Sequence, residues 1–168
     1  MWALSFWTLL ACNDKVNARI YSSARLAEDI EAYEEWDHAP GWPDVHAGCE
    51  DPHTPIVEIW LNEVAFGAMA TEPKVLPDTA ALVLQVWLDE QGTEGTLLAM
   101  RKVEGIDPDN GDWFWGAFDP EGAAVAAGAA SDPDAGPSVA DCVGCHRSGV
   151  DFVRFPGMVA LDPSVACP

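Results

Sequence analysis

The chain has 168 residues, 49% of them hydrophobic, and a formal net charge of −20 from 28 acidic against 8 basic side chains. That length and apolar content suffice for one core of ordinary size, so a single domain is expected. So few cations cannot form the basic face that nucleic acid requires, which excludes that class of partner. The acidic field either favours a basic protein partner or only maintains solubility.

Met1 to Ala11 is a continuous apolar run that stops at Cys12, after which Asn13-Asp14-Lys15 turns polar. The run is too short for a bilayer-spanning helix, which needs about 20 apolar residues, and it fits the hydrophobic region of an export signal. Leu9-Leu10-Ala11-Cys12 resembles a bacterial lipobox, in which Cys12 would be lipidated and become the mature N-terminus. The expected location is therefore outside the cytoplasm, periplasmic or lipid-anchored at a bacterial membrane. The remaining domain would run from residue 17 to 168. The competing reading of residues 1–12 is the start of a buried helix.

From Asn17 to about Asp37 a helix is expected, because Leu26, Ile30, Tyr33 and Trp36 recur at helical spacing among glutamates. Pro40, Gly41 and Pro43 end it, and a loop follows that carries His38, His46 and His53, read as solvated rather than metal-ligating. Pro55 to Leu61 reads as a strand, and Asn62 can cap a short helix running to about Thr71. After a loop from Glu72 to Asp78, Ala80–Leu88 and Thr96–Val103 read as an antiparallel pair, turning at Gln91-Gly92. The turn Asp107-Pro108-Asp109-Asn110-Gly111 leads into the strand Asp112–Phe118. Alternation puts Trp113, Trp115 and Ala117 on one face of that strand and Phe114 and Phe118 on the other. Both faces must then be covered, one by sheet or helix, the other by a bound group. Pro120 to Ala140, rich in Ala, Gly, Pro and Asp, reads as a flexible approach to the motif that follows. The chain contains no internal repeat.

That motif is Cys142-Val143-Gly144-Cys145-His146. Two cysteines spaced C-x-x-C with a histidine directly after them are the mark of covalent c-type haem attachment. Each thiol can add to one vinyl group on the same porphyrin edge, and His146 then lies where its imidazole can bind the iron. One haem c is expected, held by Cys142, Cys145 and His146, with His146 as the metal ligand. A thioredoxin-like motif lacks its surrounding βαβ pattern, a zinc site lacks a fourth ligand, and a Cys142–Cys145 disulfide would close a very tight loop. Of the other cysteines, Cys12 falls at the processing site. Cys49 and Cys167 either pair, as an oxidising compartment favours, or stay as thiols. A bridge there would contribute roughly 4–5 kcal/mol in the chain-entropy account.

Tyr33-x-x-Trp36-x-His38, His53 leading into Ile59-Trp60-Leu61-Asn62-Glu63-Val64-Ala65, the stretch from Met100 to Trp113, and the late Cys142–His146 motif together resemble the cytochrome P-460 family. That family includes the cytochrome c′-beta proteins. The resemblance covers about residues 33–155 and implies an α+β fold, mostly antiparallel sheet with two or so flanking helices, commonly a homodimer. It also implies a five-coordinate iron with His146 proximal and the opposite face open to small ligands such as NO. Classical α-helical cytochromes c fit worse, since their motif comes early, although Met158 follows this one. Members that oxidise hydroxylamine carry a lysine cross-linked to the porphyrin. Matching Pro77–Gln85 to that stretch puts Leu84 at the lysine position, while Lys74 and Lys102 lie in other segments. The enzymes also use a distal carboxylate, for which Asp107 and Asp109 are the nearest candidates and also ordinary turn formers. The expected function is a gas-binding cytochrome of the c′-beta type. A hydroxylamine- or NO-oxidising enzyme and a simple electron carrier are the alternatives.

Overall fold

The computed structural model describes residues 21–40, 57–71 and 75–154, together with the backbone of His46, Ala47 and Ile56. The export-like segment with Cys12, the side chain of His46, and His53, Lys74, Met158 and the cysteines Cys49 and Cys167 lie outside the described residues.

Apolar runs, buried on both faces in the central strands, build one antiparallel sheet. Its strands are β1 (Asp37–His38), β2 (His46–Ala47), β3 (Ile56–Leu61), β4 (Ala81–Trp87), β5 (Glu94–Lys102), β6 (Trp113–Phe118) and β7 (Ala124–Ala129). They follow the order β1-β3-β4-β5-β6-β7, with β2 also pairing to β3. Among the described residues three α-helices accompany them: α1 (Ser23–Asp29), α2 (Glu63–Ala68) and α3 (Pro137–His146). The fold class is α+β, as the sequence indicates.

The register divides the core into two layers. On one face, Leu26 and Ile30 of the α1 segment pack against Val83, Ala99, Phe114 and Phe118. Tyr33, Trp36 and Trp60 extend that layer. Gly116 permits the approach of α1, since a Cβ there would lie 2.6 Å from a Leu26 methyl. On the other face, Leu61, Leu82, Met100, Trp113 and Trp115 pack with Ala65 of α2 and with Val139 and Val143 of α3. The expected division of β6 into two aromatic faces is therefore observed.

Three differences from the sequence reading have physical causes. Within the described residues 21–37, the helix expected from Asn17 to Asp37 is α-helical over Ser23–Asp29, started by Ser22, whose Oγ accepts Arg25 N at 3.3 Å. The apolar stripe continues, but as a 3₁₀ turn at Tyr33–Glu35 that brings Tyr33 and Trp36 onto the same layer. His38, expected in a loop, stands in β1 opposite Trp60, with the two rings 3.7 Å apart between centroids. The Pro120–Ala140 approach contains β7 and the first turn of α3. Its small residues give no hydrophobic period, yet their backbone completes the ladder beside β6.

Candidate functional site

Gly136-Pro137 starts α3: Gly136 has φ 81°, and Pro137 occupies the first turn, where no amide donor is needed. Val139 and Val143, each 2% exposed, anchor the helix on the sheet. This leaves Cys142 half-buried and Cys145 exposed, three residues apart and so on neighbouring helical positions, with His146 half-buried at the helix end. The structure thus brings together the three residues that the motif singled out.

Burial pushes the Cys142 thiol up, with the charges of Asp141 and Cys145 adding to the effect. A redox-active C-x-x-C needs the opposite, a thiol lowered at a helix N-terminus, whereas Cys142 lies in the middle of α3. Among the described residues no three His, Cys, Asp or Glu side chains are placed to share a metal ion.

After His146 the chain doubles back. Gly149 amide donates to the His146 carbonyl at 2.9 Å, and a Cβ on Gly149 would lie 2.3 Å from the Val153 carbonyl oxygen, so only glycine fits. Asp151 and Phe152 follow with φ of 49° and 63°, two consecutive left-handed residues that are not glycine. Conformations of this kind cost of order 1–3 kcal/mol each and persist where the surroundings hold them. Here the turn presents the Phe152 carbonyl to His146 Nδ1 at 2.9 Å. A carbonyl only accepts, so Nδ1 carries the hydrogen, and in the neutral ring the lone pair is at Nε2. That is the tautomer in which Nε2 can bind a metal, with its orientation set by the partner of the other nitrogen.

The cleft beside His146 and Cys142 is walled by two cross-strand rows of the sheet. Leu82, Met100 and Trp115 form one, and Ile59, Leu84 and Leu98 the other. The volume of the cleft is about 80 Å³, and it is partly open to solvent. Trp115 meets the His146 ring edge-on at 5.0 Å, and its buried Nε1 has no hydrogen-bond partner among the described residues. Arg154 stands at the mouth and donates to the Cys145 carbonyl at 3.2 Å.

The remaining candidates separate clearly. Leu84, matched to the linking lysine, is in the cleft wall with Cys142 and His146. Lys102 is held elsewhere, its Nζ 2.6 Å from the Asp151 carboxylate. Asp107 is buried and accepts from Asn110 Nδ2 at 3.0 and 3.1 Å and from Ser131 N at 3.0 Å, the turn-forming role weighed for it above. Asp109 is exposed in the same turn, away from the cleft lining. Arg154 and the orphaned Trp115 donor were missed in the sequence because nothing local marks them. No family model matches this chain, and no curated protein matches it in sequence.

Proposed function

We propose that the chain is an exported mono-haem c-type cytochrome with an open iron face for small ligands such as NO, of the kind found in the cytochrome c′-beta branch of the cytochrome P-460 family. The observation that carries this reading is the hydrogen bond from His146 Nδ1 to the Phe152 carbonyl, which holds the lone pair at Nε2 on the helix that bears both thiols. The donor set fits the group: Cys142 and Cys145 would supply the two thioether sulfurs, and His146 would supply a nitrogen ligand. The aliphatic rows of the sheet supply an apolar wall, and the Trp115 indole nitrogen is a buried donor that a bound acceptor would satisfy. Arg154 offers a cation to the carboxylates that such a cofactor carries.

When bound, such a group would supply an iron centre able to take a small diatomic ligand. Ile59, Leu84 and Leu98 offer no hydrogen-bond donor, which favours a neutral apolar ligand. Leu84 cannot form the amine link of the hydroxylamine-oxidising members, and Lys102 is engaged by Asp151. Export, a lipid anchor at Cys12, a homodimer and a basic redox partner belong to the same reading, the last consistent with the net charge of −20.

The test is expression in a haem-competent periplasmic host, followed by mass measurement and ferrous optical spectra with and without NO. One haem surviving acid–organic extraction, lost in the Cys142→Ala plus Cys145→Ala double variant, and a high-spin spectrum that changes at once with NO are expected. Only bare polypeptide from such a host would overturn the reading. Steady hydroxylamine oxidation would move it to the oxidoreductase, and a six-coordinate spectrum to the electron carrier. In Leu84→Lys, an amine enters the cleft wall, and a red-shifted ferrous Soret band would mark a new link to the porphyrin.

A further inference from the structure

Lys102 and Trp113 are cross-strand partners on β5 and β6, one row beyond Met100 and Trp115 on the sheet face that carries the cleft. Both converge on Asp151. Lys102 Nζ is 2.6 Å from the Asp151 carboxylate, with only 14% and 11% of the two side chains exposed. The same carboxylate accepts the Leu76 amide at 2.8 Å, and Trp113 Nε1 donates to the Asp151 carbonyl at 2.9 Å. Lys102 also lies 5.4 Å from the Trp113 ring centroid, so its charge faces an aromatic surface as well as the carboxylate. Asp151 is thus held from both its side chain and its backbone. The next carbonyl, that of Phe152, is the acceptor for His146 Nδ1.

We infer that Lys102, Asp151 and Trp113 form a clamp that sets the tautomer and orientation of the His146 imidazole, with Lys102 as its positioning residue. Asp151 and Phe152 both occupy left-handed φ, which non-glycine residues leave when unrestrained. Freeing Asp151 lets the turn relax and withdraws the Phe152 carbonyl from Nδ1. The hydrogen is then no longer held at Nδ1, and Nε2 is no longer fixed as the lone-pair nitrogen. The ion pair explains why one of only 8 basic residues is mostly buried, away from the acidic surface. For its effect on iron the inference rests on the haem reading above, whereas the imidazole geometry belongs to the chain itself.

The test uses the full-length protein as isolated and follows the His146 side-chain N–H by ¹⁵N-resolved NMR. In Lys102→Met this proton should exchange with water at least about tenfold faster, and Lys102→Arg, which can still pair with Asp151, should bring it back toward the unsubstituted protein. In haem-bearing protein the iron–histidine stretching frequency should fall in Lys102→Met, because the ring loses its Nδ1 hydrogen bond and becomes a weaker donor. Unchanged exchange and an unchanged frequency in folded Lys102→Met would overturn the clamp. If that variant fails to fold, Trp113→Phe, which removes the donor to the Asp151 carbonyl along with part of a buried ring, is read by the same two criteria. The expected exchange change in protein that never acquires haem would support the clamp and sink the haem reading. Attached haem with unchanged exchange and frequency would do the reverse.

Discussion

Tyr21 and Tyr33, the only two tyrosines in the chain, both point their hydroxyls at acceptors inside the α1 layer. Tyr33 donates to Gln85 Oε1 at 3.1 Å, and burial, with the charges of Glu34, Glu94 and Glu58 adding, pushes its hydroxyl up to about 12. Tyr21 donates to Asp29 Oδ2 at 2.7 Å, and burial followed by that carboxylate raises it further. Unfolded tyrosine ionises near 10. The folded state therefore keeps protons that the unfolded chain loses. This stabilisation is fully present below about pH 10 and is lost as pH rises through the folded values. Absorbance at 295 nm should show no phenolate release near pH 10 in folded protein, and the urea midpoint should fall only above that pH. A titration midpoint at about 10 would contradict the described burial of both rings.

Asn62 shows how one side chain can join elements. Its Oδ1 accepts from Ala65 N at 2.9 Å, capping α2, and from Ala81 N at 3.1 Å at the start of β4, while Nδ2 donates to the Thr79 carbonyl at 2.9 Å. A plain N-cap contributes about 0.5–2 kcal/mol, and here two further partners would be orphaned. Asn62→Ala should therefore destabilise the domain by about 2–3 kcal/mol in urea unfolding. Asn62→Asp, which keeps the acceptors and loses the donor, should fall between Ala and the unsubstituted protein. A loss below about 0.5 kcal/mol for Asn62→Ala would show that water replaces these bonds at no cost. A second junction ties α1 to β5, where Asp29 meets Arg25 at 3.0 Å and Arg101 at 3.2 Å.

Over the whole molecule, the described cations are concentrated at structural junctions. Arg25 and Arg101 serve Asp29, Lys102 serves Asp151, Arg147 reaches Asn110 at 3.0 Å, and Arg154 reaches Cys145. With 28 acidic side chains in the chain, the folded state carries a large like-charge repulsion. Salt shortens its reach, from about 30 Å at 0.01 M to about 8 Å at 0.15 M. The melting temperature should accordingly rise between those two ionic strengths. A fall would mean that the junction ion pairs, which salt also weakens, outweigh the repulsion.

The sequence by itself determined the four central strands, because β3 to β6 carry apolar runs or alternation bounded by turn residues. It also determined the Asn62 cap, the two-sided aromatic character of β6 and the grouping of Cys142, Cys145 and His146, whose relation is contiguous. Only the tertiary structure decided the rest. Ala124–Ala129 shows no contrast between polar and apolar residues, so its place beside β6 depends on a neighbouring ladder. The end of α1 at Asp29 was hidden because its apolar stripe runs on through a 3₁₀ turn. The turn that holds His146 depends on Lys102, 49 residues away from Asp151, and on a backbone carbonyl at Phe152 that any residue would supply. Local spacing records short-range geometry. A hydrogen bond between a ring nitrogen and a main-chain oxygen leaves no mark in residue identity, so its presence was set by how the chain folds back on the sheet.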